Sequence, residues 1–143
     1  MTNFKKNIGF LWPCDGLNEQ EYWKFLPKDV RWLTARYGAE TETEELTERN
    51  LEQYASLKIL KKAASLFRTI PLHGMACGDH AASFIFGKKH EEKLIKSLQE
   101  TLNCPVSFPS KSIVNILKNN EFNKVALISP YTENLTLKFQ TYL

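Results

Sequence analysis

The chain has 143 residues, 43% of them hydrophobic and 24% charged, which is the size and balance of one soluble globular domain with a core of ordinary dimensions. Lys and Arg number 19 against 16 Asp and Glu, and the net charge of +3 is scattered rather than striped, which argues against nucleic acid as a partner. No apolar run approaches a membrane span, so no membrane partner is expected.

The opening residues, MTNFKKNIGFLWPCDG, carry two lysines before a short apolar run that meets Pro13 at once. That run is too short for the apolar region of a signal peptide, so a cytoplasmic location is expected. The three cysteines lack the spacing of a disulfide framework and are expected to be free thiols.

Residues 7–13 (NIGFLWP) form a continuous apolar run of strand length. After the loop CDGLN, Asn18 is placed to cap a short helix, EQEYWKFL, with Glu19 and Glu21 in its first turn. Residues 30–36 (VRWLTAR) alternate as a second strand. An acidic segment, GAETETEELTERN, leads into what is expected to be the longest helix. Its stripe is Leu60, Ala63, Ala64 and Phe67, with Lys58, Lys61, Lys62 and Arg68 crowding its end. LHGMAC (72–77) reads as a weak third strand, since it has no β-branched residue and contains Gly74. A helix over about 90–101 follows, then the extended CPVSF. Ser110 is expected to cap a helix with Ile113, Ile116 and Leu117 inside. KVALIS (124–129) is the strongest strand signal, and PYTENLTLKFQTYL begins another helix.

Strands alternating with helices imply an α/β fold: an open parallel sheet with helices on both faces, a flavodoxin-like lobe. In such sheets ligands bind outside the carboxyl ends of the strands. That rule sets three loops on one rim: Cys14-Asp15-Gly16, Cys77-Gly78-Asp79-His80 and Ser129-Pro130-Tyr131-Thr132.

Each candidate has a functional and a structural reading. Cys77 stands at a strand-to-helix turn, where a thiol can act as nucleophile or proton carrier. A small buried hydrophobe is the commoner fate of a lone cysteine. Asp79 and His80 tune that thiol, or they are loop residues facing water. Cys14, Cys77, Asp79 and His80 are all metal-ligand types, but no C-x-x-C or H-x-x-x-H spacing supports a metal, and none is expected. Tyr131 either holds a substrate carboxylate or caps the sheet. Trp12, Trp23 and Trp32 read as packing residues and Cys104 as structural. GDHAASFIFG does not match a phosphate-binding G-x-G-x-x-G, so no nucleotide cofactor is implied.

The order of these motifs resembles the maleate cis-trans isomerase and arylmalonate decarboxylase branch of the aspartate/glutamate racemase superfamily. IGFLWP followed by FLPKDVRWLTARY resembles that branch's opening strand, helix and "LPEGV…TAR" segment. MACGDHAASFIFG resembles its "ACTSGSF..G" cysteine loop. LNCPVSFPSKSIVNILKNNEFNKVALISPYTENL resembles its "GVP…S.A…AL..LG..RVAL.TPYT" segment.

The resemblance covers nearly all of this chain but only the first part of a family member, which has two similar lobes with the site between them. It implies residues 1–110 as a first lobe, and 111–143 as a connecting helix with the opening strand and helix of a second lobe that is mostly missing. It also implies cofactor-independent chemistry on small carboxylic or dicarboxylic acids. Cys77 stands at the position of the first-lobe catalytic cysteine, which in maleate isomerases is implicated in attack on the double bond. Tyr131, with Thr132, matches the "TPYT" motif whose tyrosine helps hold a substrate carboxylate. Cys14 and Asp15 stand in the loop that usually supplies another polar anchor, with PCDG in place of "PSSN". The cysteine loop departs from the pattern: Gly78-Asp79 replaces Thr-Ser, and the loop is two residues longer.

Two expectations follow. One is a truncated isomerase, racemase or decarboxylase whose copies pair as a homodimer, each lending a Cys77. The other is a non-catalytic remnant or small binding domain that associates through an exposed lobe interface.

Overall fold

The computed structural model describes residues 4–14, 16–38 and 47–143. Its strands are β1 (Lys6–Pro13), β2 (Val30–Tyr37), β3 (Gly74–Cys77) and β4 (Val106–Ser107). They form one parallel sheet in the order β2-β1-β3-β4. The chain steps to one side of β1 and then back across it, as in doubly wound flavodoxin-like sheets. The helices are α1 (Glu19–Trp23), α2 (Glu48–Tyr54), α3 (Leu57–Ala64), α4 (His80–Phe84), α5 (Lys88–Leu102), α6 (Pro109–Asn119) and α7 (Glu133–Tyr142). Among the described residues no helix is long and apolar enough to cross a membrane.

The period-two alternation of β1 gives each face of the sheet its own partner. Phe10 and Trp12 point to the face of α1, where their rings meet Tyr22 at 5.0 and 5.3 Å and Phe10 meets Trp32 at 4.4 Å. Leu11 points the other way. With Ala35, Tyr37, Met75 and Cys77 it joins the main core, which also takes in Leu60, Ala64, Leu94 and Leu98 from α3 and α5. Helices therefore lie on both faces, as the alternation of elements predicts.

The turn out of β3 is set by contact. Gly78 lies against the aromatic face, and a Cβ there would sit 2.1 Å from the Trp12 ring and 2.7 Å from Phe10. Farther on, Gly87 enters α5 at φ 78° and Asn103 leaves it at φ 51°, the left-handed conformations that Gly and Asn adopt most readily.

The structure departs from the sequence expectations at several elements. The expected longest helix is two: α2 ends at Tyr54, and Ser56 adopts an extended backbone before α3 begins. The longest helix is α5. Residues 39–46 of the acidic segment that leads into that expected helix lie outside the described residues. Asn18 precedes α1, but its side chain makes no capping bond. Ser110 is not the cap of α6. Phe108 holds that position with Pro109 at the first turn, and Ser110 lies buried inside it. The inner face of α6 centres on Val114, while Ile116 is exposed. The largest departure is 124–129, which joins no sheet; Val125 and Ile128 face outward. Strand propensity needs a neighbouring strand to become a ladder. The β4 edge of the sheet is only two residues long.

Gly78→Ala is expected to lower unfolding stability by roughly 1–3 kcal/mol through overpacking against Trp12 and Phe10. The measurement is the urea midpoint at constant m-value.

Candidate functional site

The site is built at the carboxyl end of β3. Leu11 pairs with Cys77, and Pro13 pairs with Tyr37. Side chains directly opposite in a parallel sheet share a face, so Ala35, Leu11 and Cys77 lie in one row, and Tyr37 follows Ala35 two residues later on the same side. From there the phenol of Tyr37 reaches over β1, and its oxygen lies 3.5 Å from Cys77 Sγ.

Asp79 caps α4, its Oδ1 accepting from the N–H groups of Ala81 at 2.8 Å and Ala82 at 3.2 Å. His80 opens the helix. Its Nδ1 lies 3.4 Å from the Tyr131 hydroxyl, and its ring meets Phe139 of α7 edge to face at 4.3 Å. Phe84, one turn on, packs against both Tyr131 and Phe139. Asp79 thus stands between two contacts, Cys77 with Tyr37 on the sheet and His80 with Tyr131 beside α7. The rim rule expected Tyr131 to follow a strand at 124–129, which is not formed, and Tyr131 meets His80 through the packing of α7 instead.

Thr132 is at the head of α7, exposed, and its side chain makes no capping bond. Cys14 is exposed and stands further along the rim. Its Sγ is 3.7 Å from the Tyr54 hydroxyl, and the Tyr54 ring meets Tyr37 edge to face at 5.8 Å. Cys14 therefore reaches Cys77 only through two tyrosines. Asp15 lies outside the described residues. The four metal-ligand types do not converge: among the described residues no three His, Cys, Asp or Glu side chains are placed to share an ion.

Cys77 is 3% exposed. Burial pushes its thiol up to about 12. The Tyr37 hydrogen bond and the Asp79 N–H pull the other way, while the carboxylates of Asp79 and Glu91 add to the rise. Burial, with a contribution from Asp79, also holds Tyr131 up at about 12. Tyr37 is also raised well above its ordinary value, by burial first and then by the charges of Cys77 and Asp79. Burial lowers His80, so its imidazole is neutral at neutral pH. Asp79 is thus the charge felt by the thiol and by both phenols.

Four residues of this neighbourhood are not among the candidates from sequence. Tyr37 and Tyr54 form the link just described. Arg36 holds the loop after β1: its guanidinium donates to the carbonyls of Pro13, Cys14 and Gly16 and pairs with Glu19 at 2.9 Å. Glu91 of α5 is buried, and its carboxylate accepts from Ser83 Oγ, the Lys111 N–H and the Tyr142 hydroxyl. Tyr37 was findable, because it ends a strand on the same rim. Glu91 was not, because its partners come from three other helices.

No protein-family model matches the chain, and no curated protein matches it. Solved structures do. Over 95% of this chain, the crystal structure of arylmalonate decarboxylase superposes with a TM-score of 0.73 at 17% identity, covering 56% of that protein. A cysteine-to-alanine variant of maleate isomerase Iso from Pseudomonas putida S16, solved with maleate, gives 0.80 at 12% identity over 96% of this chain and 58% of its own. A Nocardia farcinica maleate cis-trans isomerase mutant with a covalently bound succinylcysteine intermediate gives 0.77 at 16% identity, covering 96% and 58%. At these identities the likeness establishes the fold, and this chain spans under three fifths of each of those proteins.

Asp79→Asn keeps a competent helix cap and removes the charge. A carboxylate opposes a neighbouring thiolate or phenolate, so its loss is expected to let Cys77 and Tyr131 ionise at lower pH than about 12. Ultraviolet titration of thiolate and tyrosinate reads the shift.

Proposed function

We propose that this chain is the thiol-bearing lobe of a cofactor-independent catalyst acting on small carboxylic or dicarboxylic acids, of the maleate isomerase or arylmalonate decarboxylase kind. The observation that carries the reading is the Cys77 thiol at the end of β3 beside Asp79, with His80 of the next helix turned to Tyr131, in a fold shared with those enzymes. Cys77 is the nucleophile. As thiolate, its sulfur adds to an olefinic carbon of a maleate-like substrate, and the π electron pair moves onto the adjacent carbon and its carboxylate. The new single bond turns, the pair returns, and the sulfur leaves with the double bond reset. The Tyr131 hydroxyl donates to a substrate carboxylate, with Thr132 and Cys14 as further polar anchors on the rim.

Magnitude decides what the lobe does alone. A thiol at about 12 is ionised in roughly one molecule in 100,000 at pH 7. Activation therefore falls to a group on the far side of the crevice that takes the thiol proton, in keeping with chemistry that needs an acid or base on each side of the substrate. A second copy of the chain, paired as a homodimer, supplies that group. The same burial and protonation of Cys77 favour a second reading, in which the lobe binds a small carboxylate and does not turn it over.

Turnover of maleate and of an arylmalonate, measured against protein concentration alongside sedimentation, separates the two. Turnover that rises with the dimer fraction and falls roughly a hundredfold or more in Cys77→Ala is expected for the catalyst. Carboxylate binding by a monomer without turnover would establish the binding domain.

A further inference from the structure

The buried phenol of Tyr37 is absorbed neither by the fold's packing nor by the roles proposed so far. It sits at the end of β2 and reaches past β1 to β3, a path that an apolar ring fills as well without the hydroxyl. Tyr54 meets the ring edge to face at 5.8 Å and fixes its plane. Its oxygen then has Cys77 Sγ at 3.5 Å. A buried hydroxyl needs a partner, and a thiol sulfur is a weak one. The same sulfur as thiolate is a charged acceptor, for which a hydrogen bond is much stronger.

We infer that Tyr37 is the positioning residue of Cys77, aiming its sulfur and donating to it as the thiolate forms. The groups that face the sulfur divide accordingly. The Tyr37 hydroxyl and the Asp79 N–H favour the ionised form, whereas the carboxylates of Asp79 and Glu91 oppose it. Tyr54 faces Tyr37, and its own hydroxyl is turned toward Cys14. Tyr37 is thus the one side chain of this set that gains contact energy when the thiol loses its proton. The inference rests on the proposed function only for its consequence in turnover; the contact and its effect on the sulfur are measurable without substrate.

The test uses Tyr37→Phe in the full chain, with Cys14 and Cys104 replaced by Ser so that one thiol remains. The infrared S–H stretching band of Cys77 reads the contact in the resting protein. The rate of alkylation by a small neutral reagent, followed against pH, reads thiolate formation. The band is expected to move, and alkylation is expected to slow about tenfold or more across the alkaline range, the size of a lost hydrogen bond to a charged group. The urea midpoint is expected to stay close to that of the parent, because only a weak bond to a neutral thiol is removed from the resting fold. If Tyr37→Phe does not fold, placing a fluorinated tyrosine at the same position keeps the shape, strengthens donation and moves both readouts the opposite way. An unmoved band overturns the inference, and so does a moved band with an unchanged pH–rate curve. Failure of turnover with both readouts shifted would overturn the proposed function and leave this inference standing.

Discussion

At the carboxyl end of the sheet two buried polar side chains meet, the Tyr37 hydroxyl and the Cys77 thiol, and the position of each is dictated by pairing to β1. Tyr37 is opposite Pro13, and Cys77 is opposite Leu11, two residues back. A slip of one residue in either ladder would turn one of the two side chains to the aromatic face. The register is specified from both sides, by Leu11 in the helix-covered core and by Phe10 and Trp12 against α1. The short β3 strand can thus hold the Cys77 thiol in place although it has weak intrinsic preference for extended structure.

Behind that contact lies a second polar centre. Glu91 brings a buried carboxylate to the first turn of α6, to Ser83 on α4 and to Tyr142 near the end of α7. A charge buried this deeply is tolerated because each of those donors is turned toward it. Ser110 adds a link, its N–H donating to Ser83 Oγ at 2.9 Å. The aromatic group of His80, Phe84, Tyr131 and Phe139 closes the same side. Helix α7 is thereby held against α4, and Tyr131 is carried to the thiol loop. Tyr131, which leads into α7, takes its place beside His80 from this packing, whereas His80 is already set by the Asp79 cap of α4.

What could be read from the sequence follows from how local each signal is. The runs at 7–13 and 30–36 are strands because their apolar residues and their alternation are local properties, and both hold within a residue of their ends. The rim rule placed Cys77, Asp79 and His80 at the carboxyl end of β3 because strand direction decides which loops share an edge, but Tyr131 meets His80 without the strand the rule assumed before it. Cys14 shows the limit of that rule: it shares the edge, but the bend after Pro13 carries its sulfur toward Tyr54. KVALIS misled for the opposite reason. Its residues favour extended structure, but a ladder needs a partner strand, and propensity says nothing about whether one is within reach. Ser110 resembled a cap because serine usually is one; Pro109 shifted the helix start, and the hydroxyl was buried instead. Glu91 left no trace in the local pattern, since it lies among charged residues of an amphipathic helix and only the folded chain brings Ser83, Lys111 and Tyr142 to it.

The central claim is that Cys77 is held as a neutral thiol in a closed polar site and must be activated to react. Carbon NMR of the chain labelled at cysteine Cβ, titrated with pH, observes that thiol directly, with Cys14 as the exposed reference. The expected result is a Cys77 signal that keeps its thiol shift through the ordinary cysteine range around 9.0 and moves only on approach to about 12. A Cys77 midpoint at or below 9.0 would contradict the claim and would describe a thiol already primed in the single lobe.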